Sequence, residues 1–296
     1  MSAYYQLVKQ LSSKHSIQVL CHVLGISRSA YYAYHAGSTY HLKAAKQTTA
    51  DRIKEIFEYH KGRYGSRRIQ SVLEDEDCQI GLHQVRKRMQ EQGLVALQAK
   101  SFVPITTQTH PHLKRSPNLL LLPDNELTRP NQVIVGDITY LPNKEAGYDK
   151  WLYLAVWLDL FSRRIVGWHI DRHMEDSLVI NALHQVIRNR QPPVNFIVHS
   201  DGGGQYGSTK FRALLAQQQY QQSMTRKDNH YDNAHIESLF SRFKLELLQG
   251  GTFFGAEDAY YKSFEYIQGY YNRIRKHSSL GYKSPIQFEE QYTSTT

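Results

Sequence analysis

Two acidic residues, Asp201 and Glu237, stand with 35 residues between them, each in a distinctive local sequence. Asp201 ends an apolar run and opens a glycine stretch, Phe196-Ile-Val-His-Ser-Asp-Gly-Gly-Gly-Gln-Tyr206. Glu237 follows the turn-like Lys227-Asp-Asn-His-Tyr-Asp-Asn233 and begins a helix-like segment. A third acid, Asp137, lies in the apolar run Val133-Ile-Val-Gly-Asp-Ile-Thr-Tyr140. A carboxylate among such neighbours needs a cation or hydrogen-bond donors to offset its desolvation. Oxygen-only ligands suit Mg²⁺ or Mn²⁺ rather than zinc. Two such ions about 3.5–4 Å apart can activate a water and stabilise the leaving oxygen of an in-line displacement at phosphorus. Glycines 202–204 let a backbone or a phosphate approach closely. Glu237 shares a helix face with Ser241 and Lys244, so one side chain could hold a metal while another meets a phosphate. Asp159, in Trp157-Leu-Asp-Leu-Phe-Ser162, competes with Asp137 for a ligand position, and spacing does not choose between them.

The elements that must position these acids are legible as two textures. Before residue 101 the pattern is helical. Leu7, Val8 and Leu11 recur at helical spacing, then Ile17, Leu20, Cys21 and Leu24. Gly25 ends that segment and Ser27 can cap the next, 27–34, which gives a helix-turn-helix over residues 1–40. A longer helix over 41–60 precedes a second pair, Ser66–Asp77 and His83–Gln92, within a second helical module at 41–100. Arg28 in the first pair and Arg67, Arg68, Arg86, Lys87 and Arg88 in the second put charge where a recognition helix would meet DNA. Residues 101–130 hold five of the nine prolines and read as an extended linker. After Pro130 come β-rich runs at 132–141, 151–161 and 164–170, a helix at 174–189, a strand at 195–199, a helix at 209–217, a strand at 220–224 and a helix at 232–248. Meandering strands followed by alternating helix and strand predict a mixed sheet covered by helices over 131–250, with a helical extension at 251–296.

Composition narrows the partners. With 296 residues the chain exceeds one compact core. No apolar run is long enough to span a bilayer, the start has no secretory pattern, and Cys21 and Cys78 are too few for a disulfide framework or a four-cysteine zinc site. A reducing cytoplasm is the simplest compartment. Net charge is +9, and residues 1–130 carry 18 Lys and Arg against 10 Asp and Glu, whereas 131–296 carry 18 against 17. The front of the chain is therefore the expected polyanion binder.

Motifs over nearly the whole chain resemble the OrfB transposases of bacterial insertion sequences, relatives of retroviral integrases in the DDE recombinase superfamily. They include Asp137-Ile-Thr-Tyr140, Asp159-Leu-Phe-Ser-Arg-Arg-Ile-Val-Gly-Trp168, His199-Ser-Asp201 with Gln205-Tyr206, and Tyr231-Asp-Asn-Ala234 with Glu237-Ser. Phe243-Lys244, Tyr271-Asn, His277-Ser-Ser-Leu-Gly-Tyr282 and Ser284-Pro285 continue the series, and Arg63-Tyr-Gly65 with Arg67-Arg68-Ile69 resembles the family's second DNA-binding module. The resemblance implies an α/β, RNase H-like core in which Asp137, Asp201 and Glu237 are catalytic and metal-binding, with two Mg²⁺ or Mn²⁺ ions as cofactors. It makes Asp159 a position not counted among the ligands and Lys244 a contact to the transposon end. The implied reaction is hydrolysis at an element's end, then attack of the freed 3′-OH on another strand, commonly joining one end to the other as a circular intermediate. Implied partners are double-stranded DNA of ends and target, further copies of the chain forming at least a dimer, and the product of an upstream frame that carries a leucine zipper. The sequence departs from the family pattern at Ile134 and Gly136, where a Trp is usual, at Gly202, where an Arg commonly follows the second acid, and at Asp228 and His230. Two rival readings remain: a DNA-binding protein without catalysis, and a tyrosine recombinase suggested by 21 tyrosines.

Overall fold

The computed structural model describes residues 2–98, 115–122, 126–226 and 233–295. The chain divides into two compact units, Met1–Leu97 and Gln98–Thr296.

The first unit is all helical: α1 (Ser2–Leu11), α2 (Ile17–Val23), α3 (Arg28–His35), α4 (Ser38–Tyr59), α5 (Ser66–Asp75) and α6 (Leu82–Glu91). Val8, Leu20, Cys21 and Tyr31 form a small core for α1–α3, at the positions that the helical spacing marks as apolar. Ser16 caps α2 by accepting from Val19 N. Ser27 does not cap α3 as expected. It occupies the N-cap position, but its hydroxyl pairs with Ser29 Oγ at 2.6 Å instead of a backbone N–H. Ile53, Ile56, Tyr64, Ile69, Leu73, Val85 and Met89 are buried along α4–α6. The His60 and Tyr64 rings stack there at 3.6 Å, and Leu97 N closes the unit onto Gly62 O.

The second unit is built on a five-stranded sheet in the order β3-β2-β1-β4-β5. The strands are β1 (Val133–Pro142), β2 (Trp151–Asp159), β3 (Ile165–Asp171), β4 (Ile197–Ser200) and β5 (Gln221–Met224). β1, β2 and β3 are an antiparallel meander, while β4 and β5 join β1 in parallel. Parallel neighbours need crossovers, supplied by α7 (Asp176–Arg190) and by α8 (Gly204–Gly207) with α9 (Thr209–Gln217). Both faces of the sheet are covered, which is why its strands read as nearly continuous apolar runs. On one face Ile134, Ala155, Trp157 and Val198 pack with Leu178, Ala182 and Val186 of α7 and Phe211 of α9. On the other, Val133, Val135, Leu154, Val156 and Leu158 pack with Ile236, Leu239, Phe240 and Phe243 of α10 (Ala234–Phe243). Each fully buried aliphatic side chain contributes about 1.5–3 kcal/mol.

Residues 251–296 pack on the sheet unit: α11 (Ala256–Phe264), the π-helical Glu265–Tyr271 and α12 (Pro285–Thr295) follow α10, and Phe253, Tyr266, Ile267 and Tyr271 belong to the α10-side core. Of the expected linker, residues 115–122 are not free. Met224 N donates to Pro117 O, Leu119 N to Ser223 Oγ and Ser116 Oγ to Gln222 Oε1, so this strap lies along β5, at the sheet's edge. The strap covers part of that edge and satisfies the Met224 N–H. The rest of 101–130 is outside the described residues except 126–130. No helix among the described residues is long and apolar enough to cross a membrane.

Candidate active site

The parallel register of β1 and β4 runs from Val133↔Ile197 to Gly136↔Ser200. One step further along each chain come Asp137 and Asp201. Adjacent strands lie about 4.8 Å apart and residues level in a parallel pair share a face. The two carboxyl groups therefore emerge side by side where β4 ends against the middle of β1, and the carboxyl end of a parallel strand is the usual rim for ligands in helix-covered sheets. Asp137 Oδ1 accepts from Ile138 N at 2.7 Å, and Asp201 Oδ1 accepts from Gly203 N at 3.0 Å.

Glu237 sits in the first turn of α10, exposed on the side opposite to the buried Ile236, Leu239, Phe240 and Phe243. A carboxylate in a first turn is favoured by the helix dipole. The α geometry passes into a π turn at Lys244–Leu248, and Lys244 stays on the Glu237 side, half-buried. A buried ion pair, Glu246 with Arg275, holds that π turn, with Tyr266 Oη donating to Glu246 at 2.9 Å. The loop before α10, including Asp228 and His230 and the first two residues of Tyr231-Asp-Asn-Ala234, lies outside the described residues.

Charge ties these groups together. Burial pushes the Asp137 carboxyl well above the usual carboxylate range, and the charges of Asp201 and Glu237 push it further; the Ile138 N–H and Lys244 pull the other way. Asp201 is raised by burial, against the Gly203 N–H and the Arg115 charge. Lys244 is lowered by burial and held up by Asp137. Under them, the fully buried Tyr206 packs edge-on to Trp157, its hydroxyl pushed well up by burial and by both aspartates. Among the described residues no three His, Cys, Asp or Glu side chains are drawn together as a finished metal site. Like charges in a partly desolvated cleft hold one another apart. The donor set itself is all carboxylate oxygen, its mutual repulsion only partly offset by Lys244 and Arg115, which fits a hard divalent cation.

Asp159 is elsewhere. It pairs in register with Ile134, three residues back along β1, so about 10 Å from Asp137. It is fully buried and accepts from Asn131 N, Phe161 N, Ser162 N and Ser162 Oγ at 2.8–3.1 Å. Backbone donors satisfy it, the outcome expected of a structural aspartate.

Two departures of the sequence acquire reasons. A Cβ on Gly136 would collide with the six-membered ring of Trp157, so the tryptophan fills the space that a side chain at 136 would need. A Cβ on Gly202 would collide with the Arg115 guanidinium. Arg115, carried by the strap on β5, is the residue that sequence reasoning missed. Its only signal was the glycine run opposite it.

In the first unit Arg28 is exposed at the start of α3, Arg67 is exposed on α5, and Arg86 and Lys87 are exposed on α6, opposite the buried Val85 and Met89. Arg68 and Arg88 are partly committed within the unit. Arg68 lies over the Tyr64 ring and reaches Arg63 O, and Arg88 Nη1 donates to Gln84.

The sequence matches family models described as "Integrase core domain" over residues 128–230 and 218–285, and as "HTH-like domain" over 44–102. The fold is thus an integrase core domain preceded by an all-helical region, and the chain belongs to the transposases of bacterial insertion sequences. The transposase for insertion sequence element IS904 of Lactococcus lactis is 40% identical over 83% of this chain and 94% of its own length. Transposase InsF for insertion sequence IS3A of Escherichia coli is 35% identical over 97% of this chain and 98% of its own. Solved structures that are similar include the HTLV-2 integrase catalytic core domain in complex with magnesium, with a TM-score of 0.41 and 18% identity over 54% of this chain and 97% of that one.

Proposed function

We infer that this chain cuts DNA at the ends of a mobile element and joins the freed 3′-OH to another strand, with Asp137, Asp201 and Glu237 as its catalytic, metal-binding acids. The observation that carries the reading is the pairing of Asp137, midway along β1, with Asp201, just past the end of its parallel neighbour β4, with the charges of Glu237 and Lys244 acting on Asp137. Asp137 and Asp201 would hold Mg²⁺ or Mn²⁺ between strands, and Glu237 would close on it from α10. Bound there, two such ions would supply water activation and charge stabilisation at the reacting phosphate. The Ile138 and Gly203 N–H groups orient the two aspartates. Lys244, half-buried and one-sidedly cationic, binds a backbone phosphate of the element's end. Arg28, Arg67, Arg68, Arg86, Lys87 and Arg88 provide contacts of the two helical modules to double-stranded DNA, and joining two ends calls for at least a dimer. Action on DNA places the protein at the nucleoid, and the upstream-frame product remains a proposed partner.

The test is metal-dependent nicking of duplex DNA carrying the element's end. Asp201→Asn removes one anionic ligand and with it several kcal/mol of transition-state stabilisation, a loss of at least about 100-fold in rate, while DNA binding persists. Undiminished nicking by that variant would sink the assignment. A covalent DNA–tyrosine adduct would establish the tyrosine recombinase instead, and a wild-type chain that binds the end without ever cutting it would establish the inactive binding protein.

A further inference from the structure

We infer that Arg115 is a substrate-positioning residue of the carboxylate site: its guanidinium, laid over Gly202, balances Asp201 until divalent cations arrive and then grips a DNA phosphate. The inference rests on the reading of Asp137, Asp201 and Glu237 given above and extends it to a residue outside the acidic set.

Four observations support it. The guanidinium occupies the place of a side chain at 202, with Nη2, Cζ and Nε all within 2.6 Å of where that Cβ would be. Its charge acts on Asp201. Its one hydrogen bond among the described residues is a long one, Nη1 to Thr225 O at 3.4 Å. A guanidinium has five N–H donors in a fork that matches phosphate oxygens, so most of this capacity is unspent. Finally, the residue is held in place by its neighbours: the strap that carries it is pinned to β5 through Ser116, Pro117 and Leu119, directly behind it in sequence. A cation tethered beside a carboxylate, with all but one of its donors without a partner among the described residues, is poised for a second anion. Divalent ions at Asp137 and Asp201 would neutralise the first one and repel the guanidinium, which then turns to the nearest phosphate of the bound strand.

The experiment uses the full chain and a duplex of the element's end, already cut and finished with a 3′-deoxy nucleotide so that no strand transfer follows. Binding is titrated against salt, once with Mg²⁺ and once with EDTA. Each phosphate neutralised contributes about −0.9 to the slope of log K against log salt. Arg115→Gln is expected to flatten the slope by about one with Mg²⁺ and to leave it unchanged in EDTA. Arg115→Lys, which keeps the charge, is expected to restore the slope. Without DNA, Arg115→Gln is expected to bind Mn²⁺ more tightly, read from the free-ion EPR signal, because a competing cation is gone. A merely structural arginine would move none of these in that pattern. Equal slopes for wild type and Arg115→Gln with Mg²⁺, or the same difference in EDTA, overturns the inference while leaving the acids' role intact. A wild-type chain that neither binds Mn²⁺ nor cuts end DNA removes the reading of the acids, and this inference with it.

Discussion

Asp137 bears an energetic cost that a bound cation would relieve. It is a half-buried acid on a central strand, next to Asp201 and facing Glu237, with one backbone N–H and one lysine to offset the repulsion. A buried polar group without a full set of partners costs about 1–3 kcal/mol, and a charged one at least that. Asp137→Asn should therefore raise the stability of the metal-free protein at neutral pH by an amount in that range. The same substitution should abolish the rise in Tm that Mn²⁺ gives the wild type through preferential binding to the folded state. Thermal unfolding with and without Mn²⁺ measures both, and a metal-free variant less stable than wild type would show that the Asp137 charge is already compensated. Strain at a functional position is the form that a local violation of sequence rules usually takes.

At the level of elements, α12 is docked by a polar junction. Glu289 receives Arg190 Nη1 and Nη2 at 2.8 Å, Arg164 Nη1 at 2.6 Å and Ser162 Oγ at 2.7 Å, and the Ser162 backbone N–H donates to Asp159. Burial alone would raise the Glu289 carboxyl, yet the Arg190 contacts, with Ser162 and Arg164, hold it below the usual range. A lowered folded-state value means that this contribution is complete above the unfolded value, about 4.3, and is lost as pH falls through the folded one. Glu289→Gln leaves two guanidinium groups without their counter-charge and is expected to cost about 3 kcal/mol, the lower end for breaking a buried pair. Urea unfolding at neutral pH and again at pH 3 checks this, since the difference between wild type and variant should shrink at the lower pH. The same junction is what fixes Asp159 as a structural residue.

At the scale of the molecule, charge and chemistry are divided between two units. The exposed Arg86 and Lys87 of α6 belong to the helical one, and the paired aspartates to the sheet. Replacing both cations by alanine should weaken DNA binding nearly uniformly across sequences and flatten the salt slope by about one for each phosphate no longer neutralised. The rate of nicking at saturating DNA should be unchanged, because neither residue belongs to the sheet unit that carries the acids. Binding titrations over a range of salt, paired with single-turnover nicking, separate the two effects. A fall in the saturated rate would instead give this surface a part in the chemical step.

Much of this architecture is legible in the chain itself. Period-2 and unbroken apolar runs locate all five strands, helical spacing locates α4 to α7, and the types and settings of Asp137, Asp201 and Glu237 mark them as candidates, because local pattern follows directly from which faces are buried. The sequence does not choose between Asp137 and Asp159: both are acids in apolar strands, and only the register shows one level with Asp201 and the other saturated by backbone N–H groups. Nor does it place Arg115, 86 residues before Asp201 in a proline-rich stretch, over a glycine that reads as simple turn chemistry. Spacing along a chain carries information about neighbours within an element. Which elements then lie side by side is decided by strand pairing and core packing, and that is where a distant arginine and a bare glycine become one site.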